Sequence, residues 1–148
     1  LFVGTFLFFS TFSAILTLGR EVVSEYTLYN TAQVELAKYI DTYTDPTDII
    51  LTNTRHNNEV ASLTGRSIVC GADTFLYFHG IDTTERKEQV RLMYEAPAEN
   101  LGLYAQFDVS YVVISSWERS AYNIDEEWFN ENFELVFMYE DVDLYRLK

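Results

Sequence analysis

The chain has 148 residues, 48% hydrophobic and 22% charged, which fits one globular domain and excludes disordered and low-complexity classes. The net charge of −13 argues against a nucleic-acid-binding protein and against a broad electrostatic hold on anionic lipid, since both need a cationic face. The single cysteine, Cys70, excludes an internal disulfide and a CxxC metal or redox motif.

The first 18 residues carry no charge, whereas every Asp, Glu, Lys and Arg lies at or after Arg20. At about 1.5 Å rise per residue, eighteen helical residues reach roughly 27 Å, close to the thickness of a hydrocarbon core. We therefore expect residues 1–18 to be a transmembrane helix in contact with membrane lipid, the last span of a longer protein. A buried core helix is the alternative. A signal peptide is disfavoured because a basic n-region and an A-x-A cleavage site are missing.

Residues 19–30 are then a juxtamembrane link, and residues 31–148 a soluble domain. Arg20 is the only basic residue near the span until Lys38, so the positive-inside rule gives no support for a cytoplasmic domain. The strongly acidic remainder favours the extracytoplasmic side of a cell membrane.

Helical and strand patterns alternate across the domain. We predict helices over residues 31–42, 56–65, 84–96, 97–107 and 126–133, and strands over residues 48–53, 66–71, 109–116, 133–140 and 142–148. Residues 71–82 look irregular. Strands separated by helices indicate an α/β fold, with a small, mainly parallel sheet flanked by helices. The last two strands are expected to form an antiparallel hairpin that turns at Glu140 and Asp141.

The sequence contains no GxSxG, HExxH, GxxxxGK[ST] or GxGxxG motif, so we predict no catalytic residue in this chain. His56 and His79, with Asp73 or Cys70 as a third ligand, match no metal-site spacing, and no metal site is expected. Cys70 lies in an apolar run, where a small buried thiol is the usual outcome.

Polar clusters lie at the ends of predicted strands, where open α/β sheets bind ligands beyond the carboxyl ends. Residues 53–57 follow the first strand and residues 116–119 follow the third, so these two groups can share one rim. Arg66 opens the second strand and is expected at the opposite end. The candidate ligand-binding residues are His56, Asn57, Arg66, His79, Glu118 and Arg119. Structural roles stay open for them, such as an ion pair for Arg66 or a solvated turn at Glu118 and Arg119.

The order of several short motifs resembles a known family. These are His56-Asn57, ASLTGR at 61–66, HG at 79–80, YVVISSWER at 111–119 and FELVFMYEDVDLYRLK at 133–148. In this order they resemble the C-terminal region of large bacterial and archaeal polytopic membrane proteins similar to GT-C superfamily glycosyltransferases, including the YYY-type proteins. The resemblance covers roughly residues 28–148.

The resemblance implies a parent enzyme that moves a sugar from a polyprenyl-phosphate donor to an acceptor at the outer membrane face. A polyprenyl-phosphate sugar or a glycan acceptor is then the expected partner. The family's catalytic carboxylates lie in a loop that this sequence does not contain, so the resemblance implies an accessory domain without a cofactor of its own. The resemblance leaves open whether the parent enzyme uses a divalent metal.

Two other functions compete with this one. The chain can be a non-catalytic, membrane-tethered binding or assembly domain whose acidic surface selects partners. A soluble α/β hydrolase is the weaker option, because the nucleophile elbow is missing.

Overall fold

The computed structural model describes residues 2–148, which form eight α-helices and five β-strands. The helices are α1 (Phe2–Val23), α2 (Thr31–Tyr43), α3 (Glu59–Thr64), α4 (Asp73–Phe78), α5 (Thr84–Glu95), α6 (Leu101–Gln106), α7 (Ser116–Ala121) and α8 (Glu126–Asn132). The strands are β1 (Ile49–Leu51), β2 (Ser67–Ile68), β3 (Val109–Ile114), β4 (Glu134–Tyr139) and β5 (Val142–Arg146). A 3₁₀ turn, Pro97–Asn100, leads into α6.

The strands form one mixed sheet in the order β2-β1-β3-β5-β4. β1 pairs in parallel with β2 and β3, whereas β5 pairs antiparallel with both β3 and β4. The predicted α/β architecture with a C-terminal antiparallel hairpin is therefore confirmed. The second hairpin strand lies inside the sheet, with Tyr145 opposite Val112 of β3, and the first forms the edge.

The central strand β3 is buried on both faces, which explains its uninterrupted apolar sequence. Successive side chains of a strand point to opposite faces. Val112 and Ile114 accordingly pack with residues of α5, α6 and α8, whereas Tyr111 and Val113 pack with residues of α2 and α3. Helices thus cover both sides of the sheet.

Helix α1 contributes nothing to this core. None of its described residues is buried, and Phe2, Phe8 and Leu16 are all exposed while Val112 and Ile114 are inaccessible. Twenty-two helical residues extend about 33 Å. By length and composition α1 is able to cross a membrane. The hydroxyls of Thr11 and Thr17 donate back to the carbonyls of Leu7 and Ser13, so these polar groups are satisfied within the helix.

The helix continues five residues past the predicted boundary at residue 18. Arg20 and Glu21 lie within its last turns, so the non-helical link is confined to residues 24–30. Asn30 then caps α2: its side chain accepts the Gln33 backbone N–H at 2.9 Å, and the Gln33 side chain accepts the Asn30 N–H at 2.9 Å. This reciprocal capping fixes where the link joins the domain.

Two short helices were not expected from the sequence. Residues 73–78 form α4 inside the stretch that looked irregular, and residues 116–121 form α7, for which no helix was predicted. Sequence signals for α4 are weak, because Ala72 at its N-cap offers no side-chain acceptor. The strand predicted over 66–71 is also too long, since β2 ends at Ile68. Gly65 ends α3 in the left-handed conformation at φ 68°, which agrees with the predicted end of this helix at residue 65.

Candidate functional site at the carboxyl edge of the sheet

Two segments meet at one end of the parallel strands, which we name the carboxyl edge: residues 52–57 after β1, and residues 115–119 after β3, which cap and begin α7. We call these segments the two loops. Asn53 contacts Glu118 there, and the guanidinium carbon of Arg55 lies 3.3 Å from the centre of a Trp117 ring. The prediction that these two loops share one rim is confirmed. Parallel strands force this meeting, because their carboxyl ends point the same way.

Glu118 joins the two loops through a fully buried carboxylate. Its Oε1 accepts the Thr52 hydroxyl at 3.0 Å and the Asn53 backbone and side-chain N–H groups at 2.9 and 2.7 Å. Its Oε2 accepts the Ser115 backbone N–H at 3.0 Å and the Ser115 hydroxyl. Five donors thus surround the two oxygens. Because protein groups occupy the acceptor positions of this carboxylate, it is not available to bind a ligand.

Asn58 extends this network into α3. Its side-chain amide donates to the Thr52 hydroxyl at 3.1 Å and the Asn53 carbonyl at 3.0 Å. Its Oδ1 accepts the Ala61 backbone N–H at 3.1 Å, so Asn58 caps α3. The start of α3 is therefore tied to the end of β1.

A cavity of about 270 Å³ opens beside this network. Arg55, Asn57 and Trp117 form one wall, Asn30 and Gln33 of the α2 start form another, and residues 26–28 of the link close it. Amide groups, an aromatic face and a guanidinium together suit a ligand rich in hydroxyl or phosphate oxygens. Asn57 is the one sequence-predicted candidate that lines this cavity.

A second buried carboxyl, Glu59, adjoins the cavity wall. Gln33 donates to its Oε2 at 3.2 Å, whereas its buried Oε1 has no hydrogen-bond partner among residues 2–148. Burial raises the pKa of the Glu59 carboxyl, and the negative charge of Glu118 acts in the same direction, although Arg55 opposes it. Glu59 thus differs from Glu118, whose two oxygens accept five hydrogen bonds.

The two histidines lie on the surface and do not belong to the buried network. The His56 ring packs against Phe75 of α4 with 4.5 Å between ring centres. His79 ends α4, and its backbone N–H donates to the Leu76 carbonyl at 3.0 Å. Within the described chain, no three His, Cys, Asp or Glu side chains are grouped to hold a metal ion. Burial raises the pKa of the Cys70 thiol, which keeps it protonated and unreactive.

Arg66 lies at the other end of the parallel strands, the amino edge, as its position before β2 predicts. Its guanidinium is buried and donates to the Thr44 hydroxyl at 3.2 Å and the Thr44 carbonyl at 3.1 Å, with the Ile40 carbonyl at 3.4 Å. These carbonyls lie at the end of α2, where a cation complements the helix dipole. Arg66 is thus engaged in a structural contact remote from the cavity.

Arg119 clamps three elements together. It donates to both carboxylate oxygens of Glu126 at 2.9 and 3.0 Å, to Asp143 at 2.7 Å and to the Asp141 carbonyl at 2.6 Å. Arg119 also lowers the pKa of the Glu126 carboxyl. The clamp ties α7 to α8 and to the terminal hairpin.

Sequence reasoning missed Gln33 and Glu59 as candidate residues. Arg55 and Trp117 lie in the predicted polar groups 53–57 and 116–119 but were not selected from them. Two signals were available. The Asn30-x-x-Gln33 spacing is that of a capping box, which fixes Gln33 at the first turn of α2, and Arg55 stands beside the selected pair His56-Asn57. The pairing of Arg55 with Trp117, 62 positions away, has no local signal.

No protein-family model matches the chain, and no curated protein matches it. A solved structure does: the crystal structure of the C-terminal globular domain of an oligosaccharyltransferase from Archaeoglobus fulgidus. The TM-score is 0.56 and the identity 11%, over 84% of this chain and 100% of that domain. The chain has the fold of that domain.

Replacement of Glu118 by glutamine is expected to destabilise the domain. The glutamine amide keeps one acceptor oxygen but turns an NH2 group toward donors, so hydrogen bonds to the charged carboxylate are lost. The free energy of unfolding should fall by about 3 kcal/mol. Urea unfolding measures the change. Glu127→Gln, at an exposed position of α8, is the matched control and should leave the midpoint in place. Equal midpoints for both variants would show that the Glu118 network does not hold the loops.

Glu59→Gln is expected to stabilise the domain at neutral pH, whereas Glu118→Gln destabilises it. The folded pKa of Glu59 is raised, so the stability due to its protonated form is present below the unfolded pKa and is lost as pH rises through the folded value. Glutamine stays neutral, so the variant should unfold at a higher temperature than the parent chain at pH ~7 and at the same temperature near pH ~4. If the variant and the parent chain melted at the same temperature at both pH values, the raised pKa of Glu59 would be contradicted.

Proposed function

We propose that this chain is the membrane-anchored C-terminal domain of an oligosaccharyltransferase-like GT-C protein. The observation that carries the proposal is the fold match to the A. fulgidus domain, whose whole length the chain covers. The apolar helix α1 directly before the domain supports the anchor. The motif order from His56 to the terminal hairpin supports the GT-C relation independently.

The domain is proposed to be accessory to catalysis. Glycosyl transfer needs a carboxylate that can reach a substrate or activate an acceptor. Glu118 is enclosed by five donors, and Glu59 is buried with a raised pKa, so the buried carboxyls at the carboxyl edge are suited to structure. We assign the sugar transfer to a part of the parent outside this chain.

The cavity beside Arg55 is the proposed contact with the substrate of the parent. A guanidinium offers paired donors to a phosphate, and the neighbouring Asn57 and Gln33 amides suit sugar hydroxyls. His56 lies one residue from this wall and is exposed. A polyprenyl-phosphate sugar or the glycan acceptor is the proposed ligand. The acidic domain is proposed to lie on the extracytoplasmic side.

The proposal predicts that the domain folds without its membrane anchor, helix α1. The full chain should stay in the membrane pellet after carbonate extraction, whereas residues 28–148 should stay soluble and unfold cooperatively. Neither should transfer a sugar from a polyprenyl-phosphate donor to an acceptor peptide. Transfer by residues 28–148 alone would refute the accessory role.

A matched control replaces two apolar side chains of α1. Phe8 and Phe12 stack on each other and lie outside the core of the domain. Phe8→Arg with Phe12→Arg should cost about 3 kcal/mol each in the bilayer and release the chain on carbonate extraction, with the melting temperature of the domain unchanged. Extraction of the unaltered chain would refute the anchor.

A further inference from the structure

The link after α1 joins the domain at its carboxyl edge. Residues 26–28 follow the end of α1 within five positions and line the cavity with Arg55, Asn57 and Trp117. The opposite end of α2, thirteen residues on, lies with Arg66 at the amino edge. A membrane that holds α1 is therefore nearest to the carboxyl edge.

Helix α4 lies at this same edge. It follows β2, and Phe75 packs on His56 of the loop after β1. None of its residues is buried, and the side chains of Tyr77 and Phe78 are 76% and 79% exposed. Exposed aromatic surface of this extent marks an interaction site rather than a core helix.

The terminal hairpin brings further apolar side chains to this edge. Its turn follows Tyr139, and Asp141 in the turn accepts the backbone N–H of Ser116 at 3.2 Å. Of the Phe, Tyr and Trp side chains in residues 24–148, seven are exposed, and six of these lie at the carboxyl edge. The six are Tyr26, Phe75, Tyr77, Phe78, Trp117 and Tyr139, and the seventh is Tyr43 at the amino edge.

The charges near α4 indicate an occupant without strong charge. Lys87 pairs with Asp73 at 2.7 Å, and Arg91 pairs with Glu88 and Glu95, so these two basic side chains near α4 are already paired with carboxylates. With a net charge of −13, the chain has no cationic surface to spare for anionic lipid. Amphipathic aromatic rings favour the headgroup level of a bilayer.

We propose that the carboxyl edge rests on the bilayer that holds α1, with Tyr77 and Phe78 of α4 in the headgroup layer of zwitterionic lipid. This inference rests on the anchor of the proposed function. It places the Arg55 cavity at the membrane surface and the amino edge in water. Six aromatic side chains from four segments of the chain form the contact.

The two tryptophans of the chain provide a built-in test. Trp117 lies at the carboxyl edge, whereas Trp128 of α8 packs on Phe133 just before β4. Trp128→Phe leaves Trp117 as the reporter, and Trp117→Phe leaves Trp128 as the matched control. The full chain is placed in phosphatidylcholine nanodiscs that carry a nitroxide on the lipid headgroup. Emission from Trp117 should be quenched severalfold more than emission from Trp128.

Helix α4 is tested in a Trp117→Phe, Trp128→Phe background. Phe78→Trp should be quenched severalfold more than Tyr43→Trp, which places the same reporter on the amino edge. Circular dichroism checks that each variant melts like the unaltered chain. Because Phe78 and Tyr43 are both exposed, neither substitution disturbs packed core.

A Phe12→Trp reporter, quenched by a nitroxide in the acyl chains, separates the two proposals. If Phe12→Trp is quenched and Phe78→Trp is not, the edge does not touch lipid and the inference fails alone. If Phe78→Trp emission instead shifts with protein concentration, a second copy covers α4, and the inference is overturned. If Phe12→Trp is not quenched, the anchor fails and the inference falls with it.

Discussion

The uncovered apolar surface of α1 is the constraint on which the rest of the account depends. Its side chains contact neither core cluster, and its first described residue, Phe2, is 85% exposed. Apolar surface in water costs about 25 cal/mol per Å², so a helix of this kind needs a cover. The core of the domain is complete without it. The proposed cover is lipid, and under that proposal the position of the link orients the domain.

The carboxyl edge is held by one buried anion. Glu118 receives donors from both loops and caps its own helix, since Ser115 and Glu118 form a reciprocal capping box. A buried charge without such donors would be costly, but here backbone and hydroxyl groups replace water. Arg55 and Trp117 of the cavity wall belong to these loops. The geometry of the wall therefore depends on Glu118, although Glu118 does not line the cavity. Glu59 is a second buried carboxyl, but one of its oxygens has no hydrogen-bond donor, so its charged form is less stable there.

The alternation of apolar runs with helical patterns was enough to predict the α/β class and the strand that forms β3. The position of a residue before or after a strand also placed Arg66 at one edge and His56 and Asn57 at the other. The roles of Glu118 and Arg119 were not accessible in this way. Partners such as Thr52 for Glu118 and Asp141 for Arg119 lie 66 and 22 positions away, and only the folded chain brings them together.

Local signals explain the two missed helices differently. The Ser115-x-x-Glu118 spacing is a capping-box signature, so the start of α7 was readable from the sequence. No such signature precedes α4, whose exposed aromatic face lacks a helical apolar stripe. A surface helix without a buried residue, held by contacts such as Phe75 on His56, gives no periodic pattern. That absence of pattern fits a helix whose exposed aromatic face is not part of the core of the domain.

Hydrogen–deuterium exchange of the full chain in phosphatidylcholine nanodiscs tests the lipid cover of α1 most directly. The account predicts that amides in the middle of α1 exchange far more slowly in nanodiscs than in lipid-free solution, while those of the link exchange quickly in both. The same exchange rate for α1 with and without lipid would contradict it.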